Sequence, residues 1–398
     1  MPSRASLWLA AVMVVAAALS VHADVDDPSS VVVEPSFSAS IGLEVTFTPV
    51  PPLSFDVGSA LRLTLAVAAF TFASETQFAL SGFESQRFDA ALRLGSVTLS
   101  ELVVFEPLFA WNQLAVHAEF FCIHGGVEWI LANIGSPQTP SYSMGGVIQV
   151  GATPLCGVSA LSLTGFGVVD LLQLVGGIDA PFSYRLLRLF RYLDELCAGP
   201  EELQVTVLPG FYFEEQVLRV EVDALGLLAS STTWFDWMGF ARETIEIGFA
   251  FVEPELAFLM SVTLDAGLTV GAMDFILDLY VAPVGFASRT RFLAPPSPTP
   301  VPIGFDGQQF ALSVEAIGIL FSFDTSFDES FLFERQVIAV ETEITPVRFV
   351  SRTSFDLMGF EEQCIRASVG FSGVLLYTGV LFDLGGIREA SFGFELTF

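Results

Sequence analysis

The sequence contains no lysine, and this absence limits the chemistry that the protein can perform. A P-loop lysine, a Schiff-base lysine and the lysine of protein kinases are all excluded. The chain also lacks a G-x-S-x-G, a G-x-G-x-x-G, an H-E-x-x-H and an EF-hand loop. We therefore predict that the protein is not an enzyme and that it binds no cofactor.

Positive charge of any kind is scarce, because 16 basic residues, all of them Arg, stand against 45 acidic ones. The formal net charge is −29. No basic patch is available to attract phosphates, so nucleic acid is not expected as a partner.

Histidine and cysteine are also few, with three and four residues respectively. His117, Cys122 and His124 lie close together in the stretch HAEFFCIH and are the candidate metal ligands. Their spacing matches no zinc motif and no second cluster completes a set of four ligands, so we predict no metal site. In an exported protein, three disulfide pairings are open to the four cysteines, Cys122, Cys156, Cys197 and Cys364.

Long hydrophobic runs are confined to the N-terminus. Residues 1–23 contain Arg4, an apolar run from about Leu7 to Leu19, and the small-residue pattern Val21-His22-Ala23. These features predict a signal peptide that is removed after Ala23, so that the protein is exported.

After the signal peptide the chain stays strongly apolar without a run that could form a transmembrane helix. Hydrophobic residues make up 52% of the sequence and the mean hydropathy is +0.63. Acidic residues such as Asp170 and Asp383 nevertheless interrupt the most apolar stretches. A spanning helix needs about 18 to 20 apolar residues, whereas a spanning β-strand needs about 9 to 11 that alternate. The composition therefore favours a transmembrane β-barrel, in which every backbone group is paired around a closed ring.

Period-2 alternation supports strands along most of the chain. In residues 218–223, Leu and Val alternate with Arg, Glu and Asp, and in residues 244–251, Ile and Phe alternate with Thr, Glu, Gly and Ala. The pattern predicts an all-β fold, an antiparallel meander closed into a transmembrane barrel, which occupies residues 24–398 as a single domain. Allowing about 20 to 25 residues for a strand and its turn gives roughly 14 to 18 strands.

One sequence unit recurs at three places. It reads SETQFALSGFESQRF from position 74, STTWFDWMGFARETI from position 231 and SRTSFDLMGFEEQCI from position 351. Partial copies begin at positions 213, 288 and 333. The uneven spacing excludes a solenoid and indicates a structural hairpin unit that is reused along the meander. Gly82, Gly239 and Gly359 hold one position of this unit, where a tight turn needs a positive φ.

Two stretches depart from the strand pattern. Residues from about 180 to 197 have helical periodicity, with Arg185, Arg188 and Arg191 along one face. This amphipathic helix is either a plug or interface helix, or a helix packed on a loop or on the barrel end. The proline-rich residues 294–302 cannot join a sheet and form an exposed loop or a linker.

The last residues show the strictest alternation of the chain. Apolar side chains occupy every second position, at Ala390, Phe392, Phe394, Leu396 and Phe398. This pattern resembles the C-terminal strand of bacterial outer-membrane β-barrel proteins, which ends in an aromatic residue, although Leu396 stands where that class often has Tyr. The resemblance implies a location in outer-membrane lipid. It also implies that the barrel-assembly machinery recognises this strand, which then closes the barrel against the first strand.

The polar faces of the strands carry the candidate functional groups. In a barrel these faces turn to the lumen or its mouths, where an excess of carboxylates draws cations and repels anions. The candidate lumen charges are Asp89, Glu221, Asp223, Glu246, Glu341 and Glu343. Arginines on the same faces, namely Arg87, Arg219 and Arg366, are expected to neutralise part of this charge. We predict either a passive, cation-preferring channel for small cations or solutes, or a structural barrel.

The amount of Phe departs from what a porin-like barrel leads one to expect. The chain has 40 Phe but 6 Tyr and 5 Trp, so an interfacial aromatic girdle is either thin or built from Phe. The mean hydropathy is also higher than a polar lumen allows. The alternative is therefore a secreted or surface-attached β-sheet protein with a structural or adhesive function.

Overall fold

The computed structural model describes residues 35–49, 54–136, 138–155, 158–168, 196, 206–252, 255–294 and 303–398. Twenty-two β-strands form from these residues. In chain order they are β1 (Ser36–Thr48), β2 (Ser54–Val67), β3 (Phe70–Ala79), β4 (Gly82–Leu94), β5 (Val97–Glu106), β6 (Leu108–Phe120), β7 (Ile123–Asn133), β8 (Tyr142–Leu155), β9 (Val158–Phe166), β10 (Phe213–Ala224), β11 (Leu227–Asp236), β12 (Gly239–Phe251), β13 (Glu255–Asp265), β14 (Val270–Val281), β15 (Val284–Leu293), β16 (Gly304–Ala316), β17 (Ile319–Phe327), β18 (Phe333–Ile344), β19 (Val347–Asp356), β20 (Gly359–Phe371), β21 (Val374–Asp383) and β22 (Gly386–Thr397).

Each strand pairs antiparallel with the next one in the chain, and β22 pairs with β1. The meander is therefore closed into a barrel, and none of the strands in the described residues is left as an unpaired edge. This confirms the predicted fold class. The predicted number of strands, roughly 14 to 18, is wrong because the connections are shorter than expected. Residues 54–120 alone hold five strands, β2 to β6, with two residues or fewer between neighbours.

The two ends of the barrel differ in the length of their connections. At one end, which we call the turn end, the strands are joined by two residues, or by three between β12 and β13. At the other, the loop end, several connections are longer, and the longest runs from residue 167 to residue 212 between β9 and β10.

The three repeated units form hairpins at the loop end. Gly82, Gly239 and Gly359 are the first residues of β4, β12 and β20, with φ of 116°, 120° and 110°. In two of these turns the carboxylate of Asp236 or Asp356 accepts a hydrogen bond of 2.7 Å from the backbone N–H two residues later. The prediction of a tight turn that needs a positive φ is confirmed.

Strand alternation gives the sheet two faces with different exposure. On β12, Ile247 and Phe249 are 47% and 51% exposed, whereas Glu246 is 1% exposed. Residues paired across strands share a face, and the registers place Glu246 on the same face as the fully shielded Leu259 and Ile276. We call the face of Glu246 the inner face and the face of Ile247 the outer face.

Several predicted features lie outside the described residues: the signal peptide of residues 1–23, the three arginines of the predicted helix, and residues 295–302 of the proline-rich stretch. Of that helix the structure describes Leu196 alone. Within the described part of the chain, no helix is long and apolar enough to cross a membrane.

Candidate functional site

The inner wall of the barrel holds the predicted acidic side chains. Cross-strand registers place all six on the inner face: Asp89, Glu221, Asp223, Glu246, Glu341 and Glu343. They do not form one cluster, because they are distributed over β4, β10, β12 and β18. Asp223 and Glu343 are exposed and lie close to the turn end.

Arginines form ion pairs with at least three of these six acids. Arg219 forms an ion pair with Glu221, and both side chains are largely buried, at 6% and 13% exposure. Glu341 lies 2.7 Å from Nη2 of Arg348, and Asp89 lies 3.9 Å from Nη2 of its strand neighbour Arg87. The charges on the wall are thus partly balanced.

Glu246 is held on the wall by hydrogen bonding. Its Oε2 accepts a hydrogen bond of 2.7 Å from the hydroxyl of Ser230, directly opposite on β11. A buried carboxylate needs such donors because desolvation otherwise penalises its charge.

A second group of inner-face charges escapes sequence reasoning. Asp274 on β14 lies 2.8 Å from Nε of Arg289 and 3.3 Å from Nε of Arg291, both on β15. Further along the wall, Nη1 of Arg352 lies 3.2 Å from Oε1 of Glu362. Each of these residues lies at a polar position in the alternation of its strand. Which residues pair depends on the register between strands, and alternation does not show that register.

One sector of the wall is apolar and is covered from inside. Val168 and Val207, at the two ends of the long β9–β10 connection, pair as a β-bridge and are 0% and 5% exposed. They belong to a cluster with inner-face side chains that include Ile130 and Leu163. The hydroxyl of Ser143 donates to the carbonyl of Leu208 at 2.7 Å. The described ends of this connection therefore lie inside the barrel.

Both histidines beyond the predicted signal peptide line one cavity near the turn end. His117 and His124 share a space of about 500 Å³ with Arg93, Glu119 and Gln149. Glycines make room for the two imidazole rings, because a Cβ on Gly126 would lie 2.3 Å from His117 and one on Gly151 would lie 2.1 Å from His124.

The candidate metal ligands do not form a metal site. Nε2 of His117 lies 3.4 Å from Oε1 of Glu128, and no group of three or more His, Cys, Asp or Glu in the described residues could hold a metal ion. Cys364, on the inner face of β20, is disulfide-bonded. Cys156 and Cys197 lie outside the described residues, so the pairing stays a prediction.

The C-terminal strand closes the barrel. On the outer face its Phe392 and Phe394 lie opposite Val45 and Leu43 of β1. Beyond the paired residues, the backbone N–H of Phe398 donates to the carbonyl of Ala39 at 2.8 Å. The fold thus gives the last strand the closing position that the resemblance implies.

Comparisons with known proteins bear on the fold. No protein-family model matches the chain, and no curated protein does. The siderophore receptor PirA from Acinetobacter baumannii aligns with 93% of this chain and 81% of its own, at a TM-score of 0.55 and 6% identity. A variant of Rh. blastica porin with five substitutions aligns with 92% of this chain and 100% of its own, at a TM-score of 0.39 and 8% identity. The likeness to the receptor is high enough to support a large β-barrel fold.

Proposed function

We propose that the protein is a β-barrel of the bacterial outer membrane that passes small solutes and prefers cations. The contrast between the two faces of the closed sheet carries this proposal. Large apolar side chains such as Val220 and Phe249 are about half exposed on the outer face, whereas Arg219 and Glu246 are shielded on the inner face. Such an outer surface is unfavourable in water and favourable in lipid.

The difference between the two barrel ends supports an orientation. Outer-membrane barrels have short periplasmic turns and longer extracellular loops. The turn end of this barrel accordingly faces the periplasm, and the loop end faces outward. A secreted adhesive sheet, the alternative function, is less well supported, because a closed barrel offers no edge strand for pairing with other sheets.

The preference for cations rests on the acids that lie near the two mouths. Asp223 and Glu343 are exposed near the turn end. Near the loop end, a cavity of about 500 Å³ is lined by acidic side chains that include Asp306, Glu329 and Glu334, beside two arginines. The formal net charge of −29 acts in the same direction. Carboxylates at a mouth raise the local concentration of cations and lower that of anions.

Two measurements test the proposal. Fractionation tests the location: we expect the protein in the membrane pellet after a high-salt wash and in solution after detergent. Reversal potentials in planar bilayers test the channel: we expect a preference for cations that weakens as salt screens the carboxylates. Release from the membrane in salt overturns the location, and selectivity for anions overturns the electrostatic argument.

Matched variants make the recording specific. Replacing Asp223 with Asn and Glu343 with Gln together should reduce the preference for cations, since both residues are exposed at one mouth. Glu243→Gln removes one carboxylate from the outer face and serves as the control, with unchanged selectivity.

A second function is favoured by the apolar sector that Val168 and Val207 cover from inside. Outer-membrane transporters with 22 strands have a plugged lumen, and a barrel filled in this way moves a selected solute rather than acting as an open pore. Absence of conductance in a protein that fractionates with the membrane would favour the transporter over the channel.

A further inference from the structure

Polar side chains form hydrogen bonds on the outer face of seven hairpins, near the loop end. In each hairpin an amide or carboxylate side chain of the second strand bonds with a polar side chain of the first. The second-strand residues are Gln86, Asn112, Gln216, Glu243, Gln308, Gln336 and Gln363. Their partners are Thr76, Glu101, Ser162, Ser231, Ser288, Thr325 and Ser351, at 2.8 to 3.4 Å.

In five of these hairpins, the same three residue types lie side by side on three neighbouring strands. A Thr of one strand lies directly opposite the Gln, and a Phe of the following hairpin lies opposite the Gln on its other side. We call these sets the Thr–Gln–Phe rows. They are Thr76–Gln86–Phe105, Thr164–Gln216–Phe235, Thr290–Gln308–Phe327, Thr325–Gln336–Phe355 and Thr353–Gln363–Phe382.

Full copies of the repeated sequence unit supply the Thr and Gln of two rows, at positions 76 and 86 and at positions 353 and 363. The first half of the unit places Thr and Phe two residues apart before the turn, and its second half places Phe and Gln three residues apart after it. In the hairpin of β19 and β20, Phe355 pairs with Phe360 but Ser354 pairs with Glu362, so one extra residue is bulged. The bulge brings Phe360 and Gln363 onto the same face despite their odd spacing.

The outer face changes character on the two sides of the rows. Towards the turn end, Glu243 of β12 is followed on this face by Ile245, Ile247, Phe249 and Phe251. With a rise of about 3.4 Å per residue and a tilt of about 40°, the eight residue steps from Glu243 to Phe251 extend for ~21 Å along the barrel axis. The apolar band of outer-membrane barrels is about 25 Å tall. The hydrocarbon layer of the membrane therefore lies on the turn-end side of the rows.

Towards the loop end, aromatic rings and exposed turn residues follow. Phe235 and Phe240 lie with their ring centres 6.3 Å apart, and Trp237 and Met238 in the turn between them are 74% and 75% exposed. Aromatic belts occur where the membrane meets water. The amide groups therefore lie where the apolar band ends and the aromatic belt begins.

We propose that the Thr–Gln–Phe rows bind the oxygen-rich headgroups of membrane lipids and so fix the depth of the barrel in the membrane. A Gln amide offers two N–H donors and an oxygen with two lone pairs. In four rows the Gln makes one side-chain bond, which leaves capacity for lipid oxygens, and these rows carry the proposal. Gln308 is 8% exposed and makes three such bonds, so it contributes to the row without contacting lipid. Glu243 at the same level supports this depth, since a carboxylate in hydrocarbon is costly. The inference rests on the proposed membrane location and adds the lipid layer that the rows contact.

A series of phosphatidylcholine vesicles with acyl chains of increasing length tests the proposal. The variant carries Gln86→Leu, Gln336→Leu and Gln363→Leu together, and the matched control carries Asn at the same three positions. The readout is the urea midpoint of unfolding in each lipid. Removing the amides lengthens the apolar band by about one outer-face position, or ~5 Å.

We expect the wild type and the Asn variant to be most stable in the same lipid, and the Leu variant to be most stable in a lipid with longer chains. An unchanged optimum for the Leu variant overturns the proposal, because the rows then lie within the hydrocarbon. Failure of the wild type to enter any of the bilayers would instead overturn the membrane location itself.

Discussion

Arg62 and Glu395 are joined across the seam of the barrel, with Nη1 3.8 Å from Oε1. Their strands, β2 and β22, are not neighbours, because β1 lies between them. Nη2 of the same guanidinium lies 3.2 Å from Oε1 of Glu75 on β3. One cation therefore links three strands around the closing pair, and side chains reinforce the backbone hydrogen bonds of the seam.

We expect the link between Arg62 and Glu395 to contribute modestly to stability. Both side chains are partly exposed, at 51% and 29%, so solvent screening limits the coupling energy to about 0.2–1 kcal/mol. A double-mutant cycle with Arg62→Met and Glu395→Gln measures it through urea unfolding. Strictly additive losses would show that the pair contributes nothing.

Phe398→Asp should lower the amount of protein in the outer membrane without blocking export. The residue follows β22, and its side chain is 73% exposed, so a carboxylate there replaces an apolar group with a charge at the end of the closing strand. Western blots of membrane and periplasmic fractions measure the effect. The control is Thr397→Asp, because Thr397 lies on the inner face of the same strand. Equal membrane levels of the two variants would show that Phe398 has no special role in assembly.

Gly239→Ala should destabilise the barrel by about 1–2 kcal/mol, because φ at this residue is 120° and a Cβ is strained there. Gly370→Ala is the matched control: a Cβ meets nothing within 4 Å at either site, and no left-handed φ is found at Gly370. The control should leave the urea midpoint unchanged or raise it slightly. A similar loss for both variants would contradict the role assigned to the positive φ.

Ser230→Ala should cost about 1–3 kcal/mol, because it removes a donor from a buried carboxylate. Glu246, the acceptor, is 1% exposed. The neighbouring Ser231 donates to Glu243 at 2.8 Å on the outer face, where both side chains are less buried. When both variants are unfolded with urea in the same detergent, Ser231→Ala should therefore lower the free energy of unfolding by less than Ser230→Ala. The reverse order would show that burial does not determine the value of these bonds.

Alternation along single strands is enough to predict the fold class, since Leu218, Val220 and Val222 mark one face of β10 and the charged residues between them mark the other. The repeated unit likewise predicts the position of its turn, because a glycine such as Gly239 recurs there with the spacing of a hairpin. These features are local, so the sequence displays them directly.

The number of strands cannot be predicted from local features of this kind. Phe121, Leu225 and Ile317 lie in two-residue turns with φ of 56°, 54° and 54° and are almost fully exposed. Apolar residues at such turns continue the apolar character of the strands, so the boundaries between strands are hidden. The contact of Val168 with Val207 is hidden for another reason, because the two residues are 39 positions apart and meet inside the barrel.

Because of the Thr–Gln–Phe rows, the circumference of the barrel can change by one whole hairpin at a time. Each Gln bonds within its own hairpin and meets a Phe of the next one. If residues 319–346, which form β17, β18, the connection between them and the turn after β18, were excised, the two-residue turn after β16 would lead directly into β19. Gln308 would then lie opposite Phe355 instead of Phe327. One phenylalanine would thus replace another beside Gln308. The narrower barrel would keep its row at the same level relative to its surroundings.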